Sequence, residues 1–233
     1  MFDVPVVFAY DLVLALTRAL EPALADGAAV AAIALATMAV RALLLPLSVA
    51  AARGERARAR LAPRIREVRR RHGADPRRLR RELAALYRKE GVSPAAGCLP
   101  ALAQAPFLCV MYRLFTSATV AGRQNALLAH TLFGAPLGQN FAGVLAGGLF
   151  TVPSLAFLGL LALTAAVAWA ASRRLDASPA PDLPGRRLLR LAPFGTVAAA
   201  LFLPLAAGIH LLVTTSWTLI ERAVLHRPSA ASA

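Results

Sequence analysis

Carboxylates are nearly missing from the long hydrophobic runs of this chain. Asp and Glu fall in the N-terminal segment, in a basic middle region or in a proline-rich stretch, with Glu221 alone near the end of an apolar run. Proton- or cation-coupled transport generally uses acidic relays inside the membrane, so this absence argues against it. No internal repeat is visible either, which argues against a transporter built from two related halves. Cysteine is scarce. Cys98 and Cys109 are the two present, on one expected helix about 16 Å apart by helical rise, too far to pair. The four histidines, His72, His130, His210 and His226, are scattered, and His210 is expected to be a packed or hydrogen-bonded residue. No metal-ligand spacing and no glycine-rich phosphate loop occurs, so no cofactor, metal or catalytic set is expected. The N-terminus has no basic leader followed by a compact apolar core, and a cleaved signal peptide is not expected.

What is present is apolar residue and positive charge. Hydrophobic residues make up 58% of 233, more than a soluble domain of this size would carry, and the chain reads as a polytopic membrane protein. The net charge of +14 is concentrated in 53–90, 173–190 and 222–227. In a membrane protein such clusters mark cytoplasmic segments, a reading placed ahead of nucleic-acid binding.

Residues 1–27 hold four acids against Arg18 alone and suit an external interfacial helix with Val7, Tyr10, Leu14 and Thr17 on one face. The first span is expected over 28–52. A cytoplasmic helical hairpin follows over 53–92, with stripes Leu61/Ile65/Val68 and Leu79/Leu83/Leu86. In its turn Gly73 suits a helix C-terminus, Asp75 an N-cap and Pro76 a first helical position. Span two is expected over 93–117, an outer loop with Arg123 its one formal charge over 118–149, and span three over 150–172. A proline-rich cytoplasmic linker occupies 173–187. The last apolar stretch is flanked at both ends by arginine; with both clusters in the cytoplasm it must turn back on itself near Pro204 and Gly208, and four spans are the weaker alternative. This gives span four over 188–205, span five over 206–225 and a cytoplasmic tail over 226–233. The expected fold class is an all-α membrane protein of five spans, N-terminus outside.

Arg41 lies deep in span one, about 16 Å from its cytoplasmic end, and its side chain leans toward the bilayer middle. An arginine there costs at least ~2.5–3.5 kcal/mol on the insertion scale. One reading pairs it with Glu221. The other gathers Thr37, Gln104, Thr214, Thr215, Ser216 and water into a hydrated, positively charged pocket open to an incoming polar segment.

The stretch "YRKEGVSPAAGCLPALAQAPFLCVMYRLF" (87–115), with KEGV-x-P-x-AGCLP, Q-x-P-F and a later YR, resembles the YidC/Oxa family of membrane protein insertases. Thr37 to Leu47, T-x-x-x-R-x-x-x-x-PL, resembles that family's first core span. The likeness runs from about residue 5 to 225 and is closest to the five-span bacterial form. It implies an intramembrane groove with its positive residue at Arg41 and polar lining at Thr37 and Gln104. It also implies insertion of hydrophobic segments without a cofactor or nucleotide hydrolysis, in a bacterial plasma membrane. Nascent membrane proteins are the implied clients; the ribosome, a translocation channel and anionic lipid are further expected partners, and no nucleic-acid sequence is read. The chain departs from the family at "PLAAG" (204–208), at Leu212 and Val213 in place of an aromatic pair, and at Trp217 in place of Asn. It has no long basic tail after Arg227, so tail-mediated ribosome contact is not expected. A non-catalytic assembly scaffold is the alternative, with a small transporter behind it.

Overall fold

The computed structural model describes residues 3–91, 99–177 and 191–225, and these are predominantly helical. Cys98, most of the proline-rich linker, the first residues of the expected fourth span and the tail lie outside the described residues.

Helix α1 (Asp3–Leu24) buries Val6, Tyr10, Val13 and Thr17, a stripe at helical spacing. That face is rotated by one position from Val7 and Leu14, which are half-buried. The rotation sets the smaller side of α1 against the alanine-rich face of α2 (Ala28–Leu43), where Ala29, Ala32, Ile33 and Ala36 share its core cluster. Between the helices, Ala25 adopts a φ of +42° within a short 3-10 turn, Ala25–Gly27.

Helix α3 (Leu45–His72) follows α2 almost without interruption. The Leu44 amide donates to Val40 O and the Ser48 amide to Leu44 O, both at 3.0 Å, while Pro46 occupies the first turn. The apolar and basic halves of this run are therefore joined by continuous helix, with no break at residue 53. Gly73 ends α3 with a φ of −60°, so left-handed backbone is not its reason. A Cβ there would sit 2.7 Å from Arg69 O, a close approach that only glycine permits. Asp75 Oδ1 then accepts from the Arg77 and Arg78 amides at 3.0 and 3.1 Å, capping α4 (Pro76–Lys89). Helix α4 packs back on α3, where an Arg64–Glu90 ion pair joins the two.

Helix α5 (Leu99–Thr116) leads to an irregular segment, 117–151, with two short hairpins. Strands β1 (Thr119–Val120) and β2 (Arg123–Gln124) pair antiparallel, as do β3 (Thr131–Leu132) and β4 (Ala135–Pro136). Both turns hold positive φ at two successive residues, Ala121–Gly122 and Phe133–Gly134, the backbone of a two-residue hairpin loop. Buried Asn125 ties this segment to α5. Its Nδ2 donates to Leu114 O and Ser117 O, while Oδ1 accepts from the Leu127 amide.

After α6 (Phe141–Leu145), helix α7 (Val152–Ala177) turns Ser154, Phe157, Leu160, Thr164 and Ala168 inward. A 3-10 turn, α8 (Gly195–Phe202) and α9 (Leu205–Leu225) complete the described chain. The reversal falls at Leu203–Pro204; Gly208 lies inside α9. Its role is contact: a Cβ on Gly208 would come within 2.8 Å of Leu160 Cδ2. The 117–151 segment caps α9, since the Leu205 and Ala206 amides donate to Gln139 O and Leu137 O at 2.9 and 3.0 Å.

By length and composition, Val6–Leu43 (across the turn at Ala25) and Val152–Arg174 are apolar enough to cross a membrane. Ala192–Phe202 is a shorter apolar run, about 16 Å by helical rise. Large apolar side chains are exposed on the outward faces, among them Phe8, Leu43, Leu163 and Phe202. Such a surface suits lipid and not water.

Candidate functional site

The polar interior is built where α2 crosses α9. Two residues of α2 one turn apart, Thr37 and Arg41, meet three of α9 at the same spacing, His210, Thr214 and Thr218. Side chains four apart share a helix face, so each helix offers a polar ladder within an otherwise apolar body.

At one rung, Thr37 Oγ1 donates to Ile33 O at 2.7 Å and lies 3.0 Å from His210 Nδ1. Since the single threonine hydrogen is committed to Ile33, His210 Nδ1–H is assigned as donor to Thr37 Oγ1. Both residues are fully buried. At the next rung, Arg41 is 8% exposed. Its Nη2 donates to Thr214 O at 3.2 Å and to Thr218 Oγ1 at 2.9 Å. The Thr218 hydroxyl in turn donates to the same Thr214 carbonyl at 2.9 Å.

Hydrogen bonds from a charged donor are worth about 1.5–3 kcal/mol each, so two offset the ~2.5–3.5 kcal/mol cost of an arginine at a helix centre in the membrane. They do not complete the guanidinium. Arg41 Nε is buried and has no hydrogen-bond partner among the described residues. A buried donor left so costs about 1–3 kcal/mol, which favours any acceptor able to enter.

No carboxylate contacts Arg41 among the described residues. Glu221, whose negative charge acts on Arg41 without contact, accepts instead from Trp217 Nε1 at 3.0 Å, one turn back on α9. The guanidinium is thus held by a carbonyl and a hydroxyl, and Glu221 offsets part of its charge without touching it.

Of the expected lining, Thr37 and Thr214 join the ladder, Thr214 through its carbonyl. Thr215 Oγ1 donates to Leu211 O at 2.8 Å, within its own helix. Ser216 is two positions along from Thr214 and half-buried, on another side of α9. The Gln104 side chain lies outside the described residues, although its backbone belongs to α5. Thr218 and His210 were not among the expected lining. The signal for both was available as spacing, because His210, Thr214 and Thr218 stand at i, i+4 and i+8. Among the described residues, no group of His, Cys, Asp or Glu suits a metal ion.

The model of the family described as 60Kd inner membrane protein matches residues 23–232. The chain belongs to the YidC/Oxa family. Curated relatives named membrane protein insertase YidC include one from Oceanobacillus iheyensis, 24% identical over 205 residues, covering 86% of this chain and 75% of the relative. One from Zymomonas mobilis is 31% identical over 184 residues, 77% of this chain and 30% of the relative. One from Streptomyces avermitilis is 34% identical over 110 residues, 44% of this chain and 26% of the relative. The chain spans between 11% and 33% of the length of several curated relatives that it matches. Membership of the YidC/Oxa family and the apolar helices together make this a membrane protein.

Proposed function

We propose that the chain is a membrane protein insertase. It moves hydrophobic segments of newly made proteins from the cytoplasm into the bilayer through the polar site between α2 and α9. The single observation that carries this reading is Arg41: buried, charged, held by two oxygens of α9, and with a buried Nε unpartnered among the described residues.

In this reading the five spans are α2 with the start of α3, α5, α7, the 188–205 segment and α9. The N-terminus faces outside and the C-terminus the cytoplasm of a bacterial cell. The basic α3–α4 arm, Arg173 and Arg174 after span three, and Arg222 after span five all support that orientation.

The mechanism follows from the energetics. A client approaches from the cytoplasm, where the arm attracts acidic chain segments and anionic lipid. The polar or acidic flank of the client enters beside Arg41 and finds donors in place of hydrocarbon. Its apolar part passes sideways into lipid, and burial releases roughly 25 cal/mol per Å² of apolar surface. That release is sufficient to drive transfer, so no nucleotide hydrolysis and no cofactor is required. A ribosome or translocation channel would act by delivering clients to the same site.

The test uses purified protein in liposomes, challenged with ribosome-stalled single-span clients, with a photo-crosslinking benzophenone amino acid in place of half-buried Trp217. Insertion by the protein alone, with client cross-links that appear at intermediate chain lengths and fade later, is expected. A scaffold would give no insertion in this system. Insertion without client cross-links at 217 would move the route away from α9.

A further inference from the structure

The 117–151 segment offers a surface that the site at Arg41 does not use. Phe150 is 87% exposed, beside exposed Leu149 and Val152. Phe133, 67% exposed, stands at the tip of the β3–β4 hairpin with a φ of +50°. That position normally takes Gly, Asn or Asp, and a bulky side chain there is strained. The fold nonetheless projects a phenyl ring outward from it.

We infer that Phe133, Leu149 and Phe150 form a wedge that dips into the outer leaflet of the bilayer, with phospholipid acyl chains as the partner. Three observations point to lipid. The first is depth. Val152, Leu155, Leu163 and Trp169 lie along the exposed side of α7, and Arg173 stacks on Trp169 with 4.1 Å from its guanidinium carbon to the ring centroid. A Trp–Arg pair at a helix end marks a membrane interface. Counting up the helix from Trp169 to Val152 gives about 26 Å, so the hydrocarbon core of about 30 Å ends near residues 149–150.

The second is attachment. A Cβ on Gly134 would lie 3.7 Å from Pro153 Cγ, so the hairpin tip packs at the first turn of α7, at that same level. The third is charge. No Asp, Glu, Lys or Arg occurs between Arg123 and Arg173, so no charged side chain interrupts the way from the wedge down α7. The wedge extends the lipid-facing side of a membrane-crossing helix.

The consequence is mechanical. The same segment supplies Leu137 O and Gln139 O to the first amides of α9, so the wedge fixes the outer end of that helix relative to the bilayer. This inference rests on membrane residence and, for the choice of leaflet, on the orientation proposed above; it does not require insertase activity.

The experiment is site-directed spin labelling in a Cys98→Ser, Cys109→Ser background, with Phe133→Cys, Phe150→Cys and, as reference, exposed Gln124→Cys. The full chain is placed in phospholipid nanodiscs at one chain per disc, and collision rates with oxygen and with a water-soluble nickel chelate are measured. Labels at 133 and 150 are expected to collide with oxygen in preference to nickel, with the ratio reversed at 124. A nickel-favoured ratio at 133 and 150 would put the wedge in water and overturn the inference. Low collision with both reagents would mean that protein covers it, and would overturn the inference equally.

Discussion

Arginine serves two opposite purposes in this molecule. In the α3–α4 arm it is abundant and solvated, and the ion pairs it makes among the described residues are to carboxylates at least partly exposed: Arg64 with Glu90, and Arg70 and Arg71 with Glu67. Between α2 and α9 it occurs once, buried, held by a carbonyl and a hydroxyl, with Nε unpartnered among the described residues. The difference is one of medium. In water a pair at 4 Å is worth about 1 kcal/mol, whereas an effective dielectric near 20 raises it to about 4 kcal/mol. Many arginines outside therefore contribute a diffuse field, and one inside dominates its neighbourhood. A carboxylate contact at Arg41 would cancel that field; Glu221, turned to Trp217, offsets it only in part and without contact.

The comparison breaks most sharply at Arg41. Replacing it with methionine removes a buried charge and fills similar space, a change that is often neutral or stabilising when burial costs more than pairing returns. Arg41→Met is expected to keep the thermal midpoint in detergent while reducing insertion of acid-flanked clients by about tenfold, the equivalent of about 1.4 kcal/mol. Arg41→Lys should retain part of the activity. Equal loss for neutral-flanked clients, or loss of the folded protein, would make Arg41 a structural charge. A double reversal in the arm, Arg77→Glu with Arg78→Glu, should instead slow capture in a salt-dependent way.

Next in size is the packing that holds α9 in place. Gly208→Val would drive side-chain atoms into Leu160, and overpacking of this kind costs about 1–3 kcal/mol. A lowered thermal midpoint is expected, restored in part by Leu160→Ala. No change in the single variant would show that α7 and α9 separate at low cost. A smaller effect belongs to Thr218. Thr218→Val removes one acceptor from Arg41, whose place water can take, and should lower insertion by about threefold, the equivalent of ~0.65 kcal/mol. Thr215→Val should leave insertion unchanged, because that hydroxyl already serves its own helix. Similar effects from both would mean that α9 presents a broader polar face than the ladder.

How far sequence could lead differs between these places. The Asp75–Pro76 start of α4 was legible because capping is local: a carboxylate finds amides two and three residues ahead. Arg41 was legible by incongruity, as a charge in an apolar run. Its partners were only partly so. Thr214 belonged to a polar cluster visible in sequence, but which of Thr214, Thr215 and Ser216 faces α2 depends on the rotation of α9. That rotation comes from long-range packing, in which Gly208 lies close against Leu160. Gly208 itself was expected to turn the chain, since glycine signals bending and close packing alike. The rotated face of α1 has the same origin: Val6 and Val7 are equivalent by composition, and alanines of α2 choose between them.

The smallest effect belongs to the arm's ion pairs. Arg64 and Glu90 lie at the side of the hairpin, partly exposed, and such pairs contribute about 0–1 kcal/mol. Glu90→Gln should shift the thermal midpoint little, and the shift should vanish with added salt. Its value lies in the contrast with Arg41. If Glu90→Gln altered client insertion as strongly as Arg41→Met, the arm and the buried site would act as one electrostatic unit. Hydrogen exchange of the α4 amides separates the outcomes: faster exchange at unchanged insertion means the pair only steadies the arm, and the guanidinium between α2 and α9 acts alone.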